Sequence, residues 1–153
     1  TDALTGDQYT RSPAAAGSSV GGHVRHNLDH VAALHRGLRS GRLDYDHRDR
    51  GTAVERDPAT AAAVARRLAD DLLAFPWAAA PPTLVLSALV APDLPPSETW
   101  TTPDRELAFV LSHTIHHNAL IAVIARLVGA DPPPGFGYAP STVAYQRSRP
   151  CAR

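Results

Sequence analysis

Six of the eight histidines fall in two short segments: His23, His26 and His30 within GGHVRHNLDH, and His113, His116 and His117 within SHTIHH, roughly ninety residues further on. On a helix turning about 100° per residue, spacings of three and four place the first three imidazoles in one stripe about 60° wide. His113 and His117, one turn apart, stack on one face of a second helix. Two such columns packed side by side can present three or four neutral imidazole nitrogens to one cation. Two other readings compete with this, a core cluster in which each ring bonds to a carbonyl and a pH-sensitive surface patch. The metal is favoured because it satisfies one nitrogen of each ring and lets the other donate to a carbonyl or carboxylate. All-imidazole ligation suits Zn, Ni, Fe or Cu and argues against Mg or Ca. Three imidazoles leave the ion open positions, where it can acidify a bound water or thiol and polarise an electrophile, so hydrolysis and thiol addition are both within reach.

The elements that must carry these columns can be read from periodicity and caps. Residues 1–12 read as a short polar helix or the end of one, and SPAAAGSS as a loop. From about 19 to 40, Val20, Val24, Leu28, Val31, Leu34 and Leu38 recur at helical spacing, with Ser18 or Ser19 as the cap and Gly41 as the stop. RLDYDHRDRGTAVER reads as an ordered loop in which Leu43 and Tyr45 have something to bury. Asp57-Pro58 opens a further helix that Pro76 stops. Leu84 to Val90 and Ser97 to Thr102 form a candidate strand pair. Thr102-Pro103-Asp104-Arg105-Glu106 starts the last long helix, which runs to about Val128. There Val110, His113, His117, Leu120, Ile124 and Leu127 share one side, and the tail is expected to wrap on the domain as far as Tyr145.

Composition narrows the class of protein. Fifteen basic and fifteen acidic side chains cancel, so the chain lacks the basic footprint of a nucleic-acid binder. Cys151 stands alone, which rules out an intrachain disulfide and disfavours thiolate ligation. No apolar run is expected to reach membrane-spanning length and no secretory leader opens the chain, so a cytoplasmic protein is the expectation. The Ala, Arg and Pro load and the lack of methionine suggest a bacterial, GC-rich source.

SSVGGHVRHNLDH, then RELAFVLSHTIHHNALIAVIARLVG and FGYAPST, together resemble the DinB-like superfamily over about residues 18–145. That resemblance implies an all-α four-helix bundle, here one domain over 1–153, with a small irregular or two-stranded insert before the last long helix. It implies a three-histidine site in which His26, reached from Ser19, joins the HxxxH pair His113 and His117. It also implies a divalent transition metal, zinc first with nickel or iron as alternatives. The superfamily includes thiol transferases that use a low-molecular-weight thiol, so S-transfer on a small molecule leads over hydrolysis. A non-catalytic metal-binding or sensing protein is the alternative, and a homodimer is an open expectation. His30, four residues beyond His26, is the candidate catalytic base or fourth ligand, and His23 is its alternative. His116 reads as a structural or pocket-rim residue. Tyr45, Trp100 and Tyr138 are core residues or pocket wall, Asp29 pairs with Arg25, Glu106 serves the helix dipole, and His35 and His47 are exposed.

Overall fold

The computed structural model describes residues 4–148, and its architecture is mostly helical with a small three-stranded sheet. Helix α1 is Gly6–Thr10, closed at its start by a capping box between Thr5 and Gln8. Helix α2, Val20–Ser40, begins where the Ser19 side chain accepts from Gly22 N–H and ends at Gly41, which has the left-handed φ of 76° that glycine tolerates best. Strand β1, Arg42–Asp44, follows at once. Helix α3, Pro58–Leu73, starts at the Asp57 cap, whose carboxylate accepts from the Ala59 and Thr60 amides. Strands β2, Leu84–Ala88, and β3, Ser97–Thr101, lead into helix α4, Pro103–Leu127, capped by Thr102. Helix α5, Pro140–Ser148, closes the described chain.

Helix α2 is the central element, packed by α3 and α4 and approached by β1. It crosses α4 in antiparallel sense, as its core partners show. Val20 near the start of α2 packs with Ile121 and Ile124 near the end of α4, in a cluster with Tyr9 and Ala61. Leu34 and Leu38 pack with Val110 and with Leu84 of β2 in a second cluster. Between the two apolar clusters lies the layer that holds His23, His26 and His30 on α2 and His113 and His117 on α4. Contact at the α2 start is too close for any side chain at position 21, because a Cβ on Gly21 would sit 2.1 Å from the Glu55 carbonyl oxygen. That approach seats the loop before α3 on the helix, and Tyr9 Oη donates to the Val54 carbonyl at 2.8 Å beside it.

The sheet has the order β1-β2-β3, with β1 parallel to β2 and β2 antiparallel to β3. The two expected strands are present. The third is a correction, because the stretch expected to be a loop after α2 contributes β1 and buries Leu43. The predominantly helical expectation and the small insert hold at this level. The tail departs from expectation in forming α5, and it is pressed onto α4 at Gly137, where a Cβ would stand 2.7 Å from Ala119 backbone atoms. Phe136 packs on the first cluster, whereas Tyr138 and Tyr145 are largely exposed. Trp100 is not core either: it is 74% exposed on the edge strand β3. On α4, Val110 and Ile124 are buried as expected, but Leu120 and Leu127 face outward and Ile121 and Ala125 take their place inside. By length and apolar composition alone α4 would suffice to cross a membrane, with a mean hydropathy of 1.5 over its most apolar window, which corrects the expectation that no run reaches that measure. Cys151 lies outside the described residues.

One buried charge ties these elements together. Glu106, in the first turn of α4, is fully buried. Its carboxylate accepts from Tyr45 Oη at 3.0 Å, Thr101 Oγ1 at 2.6 Å and Arg105 at 2.8 Å. The dipole role expected for it is therefore joined to a structural one, since it fastens the loop after β1 and the end of β3 to α4. Replacing Glu106 by Ala strands two half-buried hydroxyls and removes three charge-assisted bonds, so urea unfolding should show a loss of about 3 kcal/mol. A loss under about 1 kcal/mol would mean these bonds add little beyond what water supplies.

Candidate metal centre

The antiparallel crossing brings five of the six clustered histidines into contact. His26 Nε2 and His113 Nε2 face each other at 2.9 Å, and His23 Nδ1 and His117 Nδ1 at 2.8 Å. The His30 ring stacks on His113 with centroids 4.0 Å apart, and the His117 ring lies 4.5 Å from that of His26 and 4.4 Å from that of His113. One ligand nitrogen each from His26, His30 and His113 lies within 4.8 Å of the other two. A cation could be held by these three. His117 stands beside them, with one nitrogen turned to His23. His116, exposed on α4, touches only the edge of this layer through the His117 ring.

The partners of each ring fix which lone pairs are free. His30 Nδ1 lies 2.9 Å from the His26 carbonyl oxygen, an acceptor only, so Nδ1 carries the proton and Nε2 keeps its lone pair. At His26 the opposite holds, because the Arg48 guanidinium is a donor only and lies 2.8 Å from Nδ1. In the neutral ring the proton is then on Nε2 and points at His113. Rotation of Arg48 away is what frees His26 Nε2 to face a cation.

Burial sets the charge state of the layer. Desolvation is the largest cause holding His26 down at about 3, followed by the neighbouring histidines and Arg48. Desolvation likewise leads for His113 and His117, each lowered to about 4 with histidine neighbours adding repulsion. It also lowers His23 and His30. Near neutral pH these rings are uncharged, the state that metal ligation and proton acceptance require.

Around the layer, several expected roles are filled and others are not. Tyr45 stacks on His30 with centroids 5.0 Å apart and planes 10° from parallel, and Phe109 flanks His113 and Tyr45. Tyr45 and Phe109, together with Arg48, Arg105 and the C-terminal part of β2, surround a pocket of about 270 Å³ into which His30 opens. Tyr45 thus is a pocket wall, whereas Trp100 and Tyr138 do not line it. Asp29 pairs with Arg25 at 2.6 Å as expected, and Glu55 joins from the other side at 2.6 Å. His47 is exposed, but His35 is half-buried near Phe75. Sequence reasoning did not single out Arg48 or Phe109. Arg48 sits in a charge-dense loop where nothing marks one arginine from the next, and Phe109 was detectable, one turn before His113 on the same face.

The DinB superfamily model matches residues 1–121, a span that contains every histidine of the layer. The chain belongs to the DinB superfamily. No match was found among curated proteins or among solved structures. Membership in the DinB superfamily, which is often metal-binding, agrees with the three-histidine group that this chain assembles between α2 and α4.

Proposed function

We propose that this DinB protein is a divalent-metal-dependent enzyme acting on a small molecule, with thiol transfer favoured over hydrolysis. The observation that carries the proposal is the convergence of His26, His30 and His113 nitrogens beside a pocket that His30 itself lines. The donor set fits a first-row transition ion: two nitrogens bound to one such ion at about 2.0–2.1 Å lie about 2.9–3.4 Å apart, and His26 and His113 already stand at 2.9 Å. His26, His113 and His117 are assigned as ligands, following the family motif, and zinc is the first choice of metal. When bound, the ion would acidify a thiol or water and polarise the electrophile.

The remaining roles belong to the chain's own groups. His30, neutral and with a free Nε2, accepts the proton of the attacking thiol or water at the pocket wall. Its ring is held by the bond to the His26 carbonyl and by the Tyr45 stack, and Tyr45 is held in turn by Glu106. Phe109 covers the side of the histidine layer nearest the pocket and limits the entry of water.

A second reading exchanges His30 for His117 as the third ligand, and it is favoured by the 4.8 Å grouping, which contains His30 and not His117. The His30→Ala protein separates the two. Under the first, it keeps one equivalent of zinc and loses about 100-fold or more in the zinc-dependent addition of a low-molecular-weight thiol to an electrophilic chromophore. Loss of zinc from His30→Ala with retention in His117→Ala would establish the second reading. Loss from both would mean that four imidazoles close around the ion, and a non-catalytic metal-binding or sensing protein would replace the enzyme.

A further inference from the structure

The pocket beside His30 contains an arginine, Arg48, that forms an ion pair with no carboxylate of the described chain. Asp46, Arg48 and Arg105 are the charged side chains lining it. Asp46 accepts from Leu89 N–H at 2.7 Å, a neutral donor, and like Arg48 it forms no ion pair among the described residues. Arg105 is neutralised by Glu106 at 2.8 Å. Arg48 takes part in none of the four ion pairs among the described residues, and its one hydrogen-bond partner there is His26 Nδ1. A neutral imidazole nitrogen is a modest acceptor for a guanidinium, whose planar fork matches a carboxylate or phosphate.

The site's own chemistry loosens even that partner. A histidine bound to metal through Nε2 carries its remaining proton on Nδ1, and Arg48 cannot accept it. With an ion in place, Arg48 must leave His26 and present its N–H groups to the pocket. The rest of the wall is mostly apolar, with Leu86, Ala88, Leu89 and Phe109 facing the same space. At about 270 Å³ it has room for a small molecule.

We propose that the substrate is a small carboxylic acid with an apolar body, its carboxylate held by Arg48 and its body against Leu86, Leu89 and Phe109. This assignment rests on the metal-dependent enzyme reading and gives that site its substrate class. Arg48 binds and positions, and the body of the acid then lies next to His30, the group assigned to proton transfer. The arrangement also couples the two ligands. An acid that draws Arg48 from His26 raises affinity for the ion, and the ion raises affinity for the acid by the same factor.

The test uses benzoate, its uncharged analogue benzamide, and inorganic phosphate, titrated calorimetrically into the intact protein both stripped of metal and loaded with zinc. Benzoate should bind, more tightly with zinc, and should weaken about tenfold or more in Arg48→Gln with partial recovery in Arg48→Lys. The side-chain Nε–H resonance of Arg48 in the unaltered protein should shift with benzoate, a readout that does not depend on a variant folding. Benzamide binding as tightly as benzoate, benzoate binding unchanged in Arg48→Gln, or no benzoate binding at all would overturn the proposal. Phosphate bound in preference to benzoate would overturn the carboxylate in favour of a phosphoryl group. Zinc uptake measured in the same samples keeps the two claims apart: Arg48-dependent benzoate binding without zinc uptake sinks the metal reading alone, and zinc uptake without benzoate binding sinks this one alone.

Discussion

Zinc affinity should fall by at least about 100-fold in His26→Ala and equally in His113→Ala, while the helical circular dichroism stays as in the parent protein. The expected size exceeds the roughly 10–100-fold that follows loss of a group bonded only to a ligand, because here a donor nitrogen itself is removed. His26 and His113 are common to both candidate ligand sets, and their nitrogens face each other at 2.9 Å. The fold should persist because the apolar clusters on either side of the histidine layer are untouched and alanine is the best helix former. His116→Ala serves as the control: its ring is exposed, so zinc should bind as before. Stoichiometric zinc retained in both His26→Ala and His113→Ala would remove the layer from consideration as a metal centre.

The second large effect is on stability against pH in the metal-free protein. Unfolded histidines titrate near 6.5. In the folded chain burial and mutual repulsion lower His26 to about 3 and His113 and His117 to about 4, and they lower His23 and His30 as well. Between these values and 6.5 the unfolded state binds more protons than the folded one. Stability therefore rises with pH across this window, is fully present above about 6.5, and is lost as pH falls towards about 4. Five rings contribute in the same direction, so the urea-unfolding free energy should report uptake of more than about two protons between about pH 6.5 and 4.5. Bound zinc should steepen the loss, since ligation and protonation compete for the same lone pairs. A flat profile over that window would mean that the rings are solvated in solution and the packed layer is wrong.

Much of the fold was legible because its punctuation is local. Ser19 and Gly41 bound α2, Asp57-Pro58 opens α3 and Thr102-Pro103 opens α4, each through side chains or dihedral preferences within a few residues. Strand β1 was not legible. It is three residues long with charged neighbours on either side of Leu43, and its partner β2 is parallel and some forty residues away, so no hairpin turn announces it. Helix α5 was hidden by the Pro and Gly before it, although Pro140 occupies the first helical turn where proline is welcome. The histidine columns were readable from spacing, but which rings converge was not. Spacing places His26 and His30 on one stripe, whereas the 2.9 Å approach of His26 to His113 depends on how α2 and α4 cross. The roles of Arg48 and Glu106 were out of reach for the same reason. Arg48 meets His26 across 22 residues of chain, and Glu106 meets Tyr45 across 61.

X-ray absorption at the zinc K-edge, on protein loaded with one equivalent of zinc near neutral pH, tests the central claim most directly. The account predicts three imidazole nitrogens at about 2.0–2.1 Å, with the multiple-scattering pattern of histidine rings and at least one further light atom completing the coordination. Zinc surrounded by water or carboxylate oxygens with one imidazole or none, or protein that fails to retain an equivalent of zinc through gel filtration, would contradict it.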